Sequence, residues 1–174
     1  MTAYPVHIIA GEPCFDRLPV MKLLCLAETP VNARIYAQAQ IGLCDKSFML
    51  RIWAFETSPS SKSTLQAVLL GPQGKLDVSA DAMGKTSLTI GAEDRTACLT
   101  VSRISGEDLQ GKYWGVVMTV PIEIFKTFLA VDAIEKGTVI KGNIFKIHPA
   151  VSAVFLPFDN FSQEQPYFGE FYVC

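Results

Sequence analysis

The stretch VNARIYAQAQIGLCDKSFMLRIWAFE, residues 31–56, shows the period-two pattern that dominates this chain. In its first part, apolar side chains alternate with polar ones, as in a strand with one buried and one solvated face. The apolar positions are Val31, Ala33, Ile35, Ala37, Ala39 and Ile41. GLCDK is turn-like, and SFMLRIWAFE is again strand-like. The sequence therefore predicts an antiparallel hairpin.

Short strands and turns continue along the rest of the chain. Further predicted strands are TLQAVLLG, TSLTIG, ACLTVSRIS, YWGVVMTV and GTVIKGNIFKI, and GPQGK, GAEDRT and SGEDLQGK carry turn residues. One short helix is predicted in PIEIFKTFL, because a first-turn Pro121 is tolerated and Ile122, Phe125 and Leu129 recur at helical spacing. The pattern predicts an all-β fold, an antiparallel β-sandwich of jelly-roll or immunoglobulin-like type with one short helix.

Length and composition limit the class of protein. The 174 residues, 49% apolar and 18% charged, are typical of a single globular domain spanning residues 1–174. A net charge of −2 provides no electrostatic attraction for nucleic acid or an anionic membrane. The mean hydropathy is +0.28, yet no apolar run approaches the roughly 18–20 residues of a membrane helix. We expect neither a nucleic-acid nor a membrane partner, and the sequence predicts no oligomeric state.

The cysteines and the N-terminus indicate a reducing compartment. The five cysteines (Cys14, Cys25, Cys44, Cys98 and Cys174) are odd in number, and no two form a C-x-x-C pair. This spacing supports neither a zinc site nor a redox motif. The start MTAYPVHIIAGEP lacks the basic region and apolar core of a secretory signal. We therefore expect a cytoplasmic protein with no disulfide, no metal and no cofactor.

No catalytic signature stands out. His7 and His148 are the two histidines, and no nucleophile-elbow or zinc-protease motif accompanies them. A glycosidase needs two carboxyl groups on either side of one bond, a pairing that sequence cannot show. We predict no catalytic residues, and an enzyme acting on a sugar stays an alternative.

Polar and aromatic residues share one face of the first two predicted strands. They are Asn32, Arg34, Tyr36, Gln38 and Gln40 on the first strand and Met49, Arg51, Trp53 and Phe55 on the second. Sugars present hydroxyl groups that suit planar hydrogen-bonding partners and C–H faces that stack on aromatic rings. This face suits a carbohydrate, although any solvated sheet also alternates in this way.

Four stretches, taken in order, resemble one protein family. They are LRIWAFETSP, LDVSADAMGKTSLTIGAEDR, YWGVVMTVPIEIF and GNIFKIHPAVSAVFLPFDNFSQEQPYFGEF. Their order and spacing are similar to those of the family 9 carbohydrate-binding modules over about residues 30–172. The resemblance implies a β-sandwich that binds an oligosaccharide or sugar derivative without catalysis. The alternative is a protein-interaction or structural sandwich with no small ligand.

The resemblance also implies site residues. A strand-end Glu matches Glu56, a turn Arg matches Arg95, and a Gly-Asn-x-x-Lys element matches Asn143 and Lys146. In the family two tryptophans enclose the sugar, but here Trp114 matches a strand residue expected in the core. The Asp-Ser pair common before the next strand is replaced by Lys62-Ser63.

We predict one shallow polar cleft lined by Arg51, Trp53 and Glu56, together with Arg95 or the edge formed by Asn143, Lys146 and His148. Arg51 and Trp53 share a strand face, and Trp53 would stack on a pyranose. The alternative is that Trp53 fills the core and Arg51 pairs with Glu56.

The aromatic tail, residues 142–173, has no sustained period. The resemblance identifies it as the final strand and a loop returning across the sandwich. Such a loop needs large apolar anchors to offset its ordering entropy. We predict that Phe145, Phe155, Phe161 and Phe168 fill the core.

Overall fold

A computed structural model describes residues 3–11, 14–26, 28–156 and 168–174 of the chain. In this part the protein is all-β, with thirteen strands and one α-helix, α1 (Ile122–Leu129). The strands are β1 (Ala3–Ile9), β2 (Met21–Cys25), β3 (Ala37–Cys44), β4 (Ser47–Ala54), β5 (Thr64–Gly71), β6 (Gly74–Asp81), β7 (Thr86–Ile90), β8 (Glu93–Asp94), β9 (Thr100–Asp108), β10 (Gly111–Pro121), β11 (Val139–Ile147), β12 (Ser152–Ala153) and β13 (Gly169–Val173). Short 3-10 turns occupy Phe15–Arg17, Val31–Ala33 and Thr96–Cys98.

The strands form two groups that are joined into one mixed sheet. One group has the order β8-β7-β6-β5-β11, and the other has the order β3-β4-β10-β9. β1 pairs with β13 and β3, and β2 pairs with β12 and β3, so both strands connect the groups. One buried cluster contains side chains from both groups, which therefore share a core.

The hairpin of β3 and β4 confirms the central prediction. Its register runs from the pair Ala37 and Ala54 to the pair Leu43 and Phe48, with two residues at the turn. The strand starts later than predicted, because Val31–Ala33 form a 3-10 turn directly after Pro30. The φ of Pro30 is −54°, and its carbonyl accepts a bond from the amide of Ala33 at 2.9 Å. The alternation before residue 37 was therefore wrongly interpreted as strand.

The predicted helix after Pro121 is confirmed as α1. Its first amide donates to the carbonyl of Lys46 at 2.9 Å, which ties the helix to the β3–β4 turn. Phe125 stacks on Phe48 with ring centroids 4.1 Å apart. Ala130 ends the helix in a left-handed conformation with φ of 53°. The helix therefore closes one end of the core.

The prediction of a purely antiparallel arrangement is wrong at β1. This strand runs parallel to both β13 and β3, whereas the other pairings are antiparallel. Residues 10–20 separate β1 from β2, so no tight turn restricts the direction of β1. The sequence did not predict β1, because Pro5 argues against a strand. β2 and β13, which are five residues each, were also missed.

The described aromatic residues of the tail pack largely as predicted. Phe145 is buried, and the Phe155 ring lies 5.6 Å from that of Tyr4 and 5.4 Å from that of Phe171. Phe168 is partly buried against a small second cluster that includes Phe145. The predicted core residue Phe161 lies outside the described residues. The tail ends in β13 rather than in a loop, because Gly169–Val173 pairs with β1 and β11.

Candidate functional site

Glu56 lies just after the end of β4 and binds three buried donors. Its Oε2 is 3.0 Å from both Lys146 Nζ and Trp114 Nε1, and its Oε1 accepts a hydrogen bond from Ser63 Oγ at 3.0 Å. The side chain is 10% exposed. Both carboxylate oxygens are therefore engaged by the protein itself.

Lys146 provides the positive charge of this network. It lies opposite Leu65 across β11 and β5, and its side chain has no exposed area. Burial lowers the pKa of Lys146 below its ordinary 10.5, while the hydrogen bond and charge of Glu56 oppose that shift. A buried ammonium group is tolerated here because Glu56 pairs with it. This residue also donates to the backbone carbonyl of His148.

An open groove of about 400 Å³ begins beside Glu56. Its walls come from the loop after β4, from β9 and from β10. The lining residues are Glu56, Thr57, Pro59, Arg103, Ser105, Gly106, Glu107, Lys112, Tyr113 and Trp114. The β9–β10 register pairs Ser105 with Trp114 and Glu107 with Lys112, so period-two alternation brings these side chains to one face.

Tyr113 also lines this groove and is partly exposed, but alternation turns its ring to the face of β10 opposite Lys112 and Trp114. It pairs with Gly106 across β9 and β10, and a Cβ at position 106 would lie 2.6 Å from the tyrosine hydroxyl oxygen. Glycine therefore leaves room for the ring. On its other side Tyr113 makes an edge contact with Phe55, whose ring centroid is 5.7 Å away. These two contacts fix the position of the ring.

Arg51 and Trp53 lie on one face of β4, as the alternation predicted, but this face is covered. The Arg51 guanidinium is 4.9 Å from the Trp53 ring centroid and 5.9 Å from that of Phe15. Residues 15–18 cover this face. Gln40 holds them in place by donating to the carbonyls of Phe15 and Leu18 at 2.7 and 2.9 Å. Trp53 is 8% exposed, and among the described residues Arg51 Nε has no hydrogen-bond partner.

The other two predicted residues lie elsewhere. Arg95 is exposed in the turn after β8 and pairs with Glu93 at 2.5 Å. Asn143 is buried, and its side chain binds the backbone amide and carbonyl of Phe155 at 3.1 and 2.7 Å. Of the seven predicted residues, Glu56, Lys146 and His148 come together, and Glu56 is the one that lines the groove.

Sequence reasoning missed the residues of β9 and β10 that line the groove. The segment SGEDLQGK was interpreted as a turn, whereas the strands continue to Asp108 and resume at Gly111. A usable signal was the alternation of Arg103, Ser105 and Glu107, which predicts a common strand face.

Other site chemistry is limited in the described part of the chain. There, no group of three His, Cys, Asp or Glu side chains is placed to hold a metal ion. All five cysteines carry free thiols. Among the same residues, no helix is both long and apolar enough to cross a bilayer.

No family model and no curated protein sequence matches this chain. Solved structures do match it. A candidate carbohydrate-binding protein from Bacteroides uniformis is 12% identical with a TM-score of 0.72, covering 98% of each chain. A family 9 carbohydrate-binding module from Caldicellulosiruptor kristjanssonii, solved with glucose, is 10% identical with a TM-score of 0.68, covering 98% of this chain and 95% of that one.

A structure of a family 9 module from the same organism with cellotriose agrees with this result. It is 10% identical with a TM-score of 0.65, and the match covers 99% of this chain and 93% of that one. Similarity at this identity concerns the fold, and it extends over nearly the whole chain. The predicted resemblance is therefore confirmed at that level: this chain has the fold of the family 9 carbohydrate-binding modules.

Proposed function

We propose that this protein is a non-catalytic carbohydrate-binding module whose sugar lies in the groove beside Glu56. The observation that carries the proposal is this polar groove with a fixed aromatic ring, in a fold shared with proteins solved with glucose and cellotriose. We also infer that the two strand groups form a β-sandwich, since they share one buried cluster.

The groove has the chemistry that a saccharide needs. Its volume of about 400 Å³ lies within the range of about 300–1,000 Å³ typical of small-molecule sites. Tyr113, at the edge of the groove, offers an aromatic surface for the C–H face of a pyranose. Ser105, Glu107 and Lys112 offer donors and acceptors to its hydroxyl groups.

Binding without catalysis fits the state of Glu56. A glycosidase uses one carboxyl group as an acid and a second as a base or nucleophile. The oxygens of Glu56 are held by Lys146, Trp114 and Ser63, so this carboxylate is engaged in structure rather than free for proton transfer. Its role in the proposed module is to hold Trp114 and the groove wall in place.

The proposal is tested by calorimetric titration with glucose and cellotriose, followed by a glycan array. We expect saturable binding that Tyr113→Ala weakens about 2- to 12-fold, by analogy with contacts between aromatic rings, which are worth about 0.5–1.5 kcal/mol. Tyr172→Ala is the matched control, since Tyr172 is an exposed tyrosine of β13 that does not line the groove.

Three outcomes decide between the functions. Loss of affinity in Tyr113→Ala alone, with unchanged thermal unfolding, supports the groove. Equal affinities in both variants and the wild type would move the site elsewhere. Absence of binding to every glycan would favour the alternative of an interaction or structural domain.

A further inference from the structure

The charges of the groove do not balance. Glu56 is neutralised within the protein by Lys146, at 3.0 Å. Glu107 and Lys112 are direct cross-strand partners of β9 and β10, so their opposite charges offset each other. Arg103 is left, and it forms no ion pair with any described carboxylate. One positive charge therefore remains in the groove.

Arg103 is held in position by neutral groups. Its Nη1 donates to the carbonyl of Ala82 at 2.5 Å, and its guanidinium carbon lies 5.9 Å from the Trp114 ring centroid. The pairing of Arg103 with Val116 places it on the same face as Ser105 and Glu107. The Ala82 bond uses one nitrogen, so Nε and Nη2 can still form a two-pronged contact with an anion.

We propose that the groove selects acidic saccharides, with Arg103 binding the carboxylate of a hexuronate residue. This inference rests on the proposed function and specifies its ligand. A planar carboxylate matches the guanidinium fork better than a hydroxyl group does, and it supplies the negative charge that the groove lacks. A neutral glucose unit would leave the Arg103 charge uncompensated.

The experiment compares two disaccharides that differ in one group. Cellobiose and its uronate analogue, glucuronosyl-glucose, are titrated calorimetrically at low ionic strength. We expect the uronate to bind about 5-fold more tightly, since an exposed ion pair is worth up to about that factor. About 0.5 M salt should reduce this preference because it screens exposed charges.

Variants test whether Arg103 causes the preference for the uronate over cellobiose. Arg103→Gln should remove the preference, so that the uronate and cellobiose bind with equal affinity. Arg103→Lys keeps the charge but loses the planar fork, so we expect an intermediate preference, and it also serves if Arg103→Gln does not fold. Arg95→Gln is the matched control, because Arg95 is exposed and does not line the groove.

Each result supports or overturns the inference. Equal binding of the two disaccharides overturns it and leaves the proposed function standing. A uronate preference that survives Arg103→Gln shows that another residue binds the carboxylate, which also overturns it. Binding of neither disaccharide overturns both this inference and the glucan-binding form of the proposed function.

Discussion

Strand β4 leads into two buried clusters that each join a charged side chain to a tryptophan. On one face, Arg51 lies over Trp53 beneath Phe15. Just beyond the strand end, Glu56 accepts bonds from Trp114 and Lys146. In the first cluster the charge has aromatic neighbours and an unpartnered Nε among the described residues, while in the second every carboxylate oxygen has a donor.

The difference between the two clusters shows that the packing around a buried charge determines whether it lies in the core or beside an open groove. The Arg51 face is covered by the Phe15–Arg17 turn, and Gly115 lets β10 approach so closely that a Cβ there would lie 2.6 Å from the Trp53 Cβ. The Glu56 cluster has no such cover on one side, where the groove begins. A buried network that ends at an open groove can position a ligand site, whereas a covered face contributes to packing.

The largest expected effect comes from Lys146→Met. It leaves the carboxylate of Glu56, 10% exposed, without its cation. We expect a loss of about 3–5 kcal/mol in the free energy of unfolding, because an uncompensated buried charge remains. Urea denaturation followed by tryptophan fluorescence measures it.

The control for this prediction is Lys75→Met. Lys75 pairs with Asp77 at 3.6 Å but is 55% exposed, so the change should stay below about 1 kcal/mol. Similar losses in the two variants would show that burial does not distinguish the two ion pairs.

The pH dependence sharpens the same comparison. The pKa of Lys146 is lowered in the folded protein from 10.5. Between the two values the unfolded chain binds more protons, so the contribution of Lys146 to stability rises with pH there and is constant below the folded-state value. Relative to Lys146→Met, the wild type should gain stability as the pH rises toward 10.5.

Urea titrations of both proteins at neutral pH and just below pH 10.5 give this difference, in which the titrations of groups that do not contact residue 146 cancel. A wild type that loses stability relative to the variant as pH rises would mean that the ion pair, rather than burial, dominates the pKa of Lys146.

The smallest expected effect is that of Arg51→Met. Methionine can lie between Phe15 and Trp53, and the change removes a buried donor that has no partner among the described residues. The lost cation–π contact, about 0.5–2 kcal/mol, is then largely offset, so the free energy of unfolding should change by less than about 1 kcal/mol. A loss above about 2 kcal/mol, in the same urea assay, would show that the contacts of Arg51 with Phe15 and Trp53 outweigh its unpartnered Nε.

The sequence by itself determined the strands whose apolar faces alternate and the helix after Pro121. β4, β5 and β7 follow their predicted segments closely, because period-two burial leaves a local pattern in the chain. The order of four family-like stretches also indicated the fold. β1 and β13 carried no comparable signal. They pair with each other over more than 160 positions along the chain, and β1 contains Pro5.

The tertiary structure alone decided which charges meet and which faces open. Glu56 pairs with Lys146, ninety positions away, rather than with nearby Arg51, because β11 presents Lys146 on the side of the core. Trp53 is covered because Gln40 fastens a segment that precedes it by more than thirty residues. Strand alternation tells which side chains share a face, but only the packing of distant segments determines whether that face is buried or forms a groove.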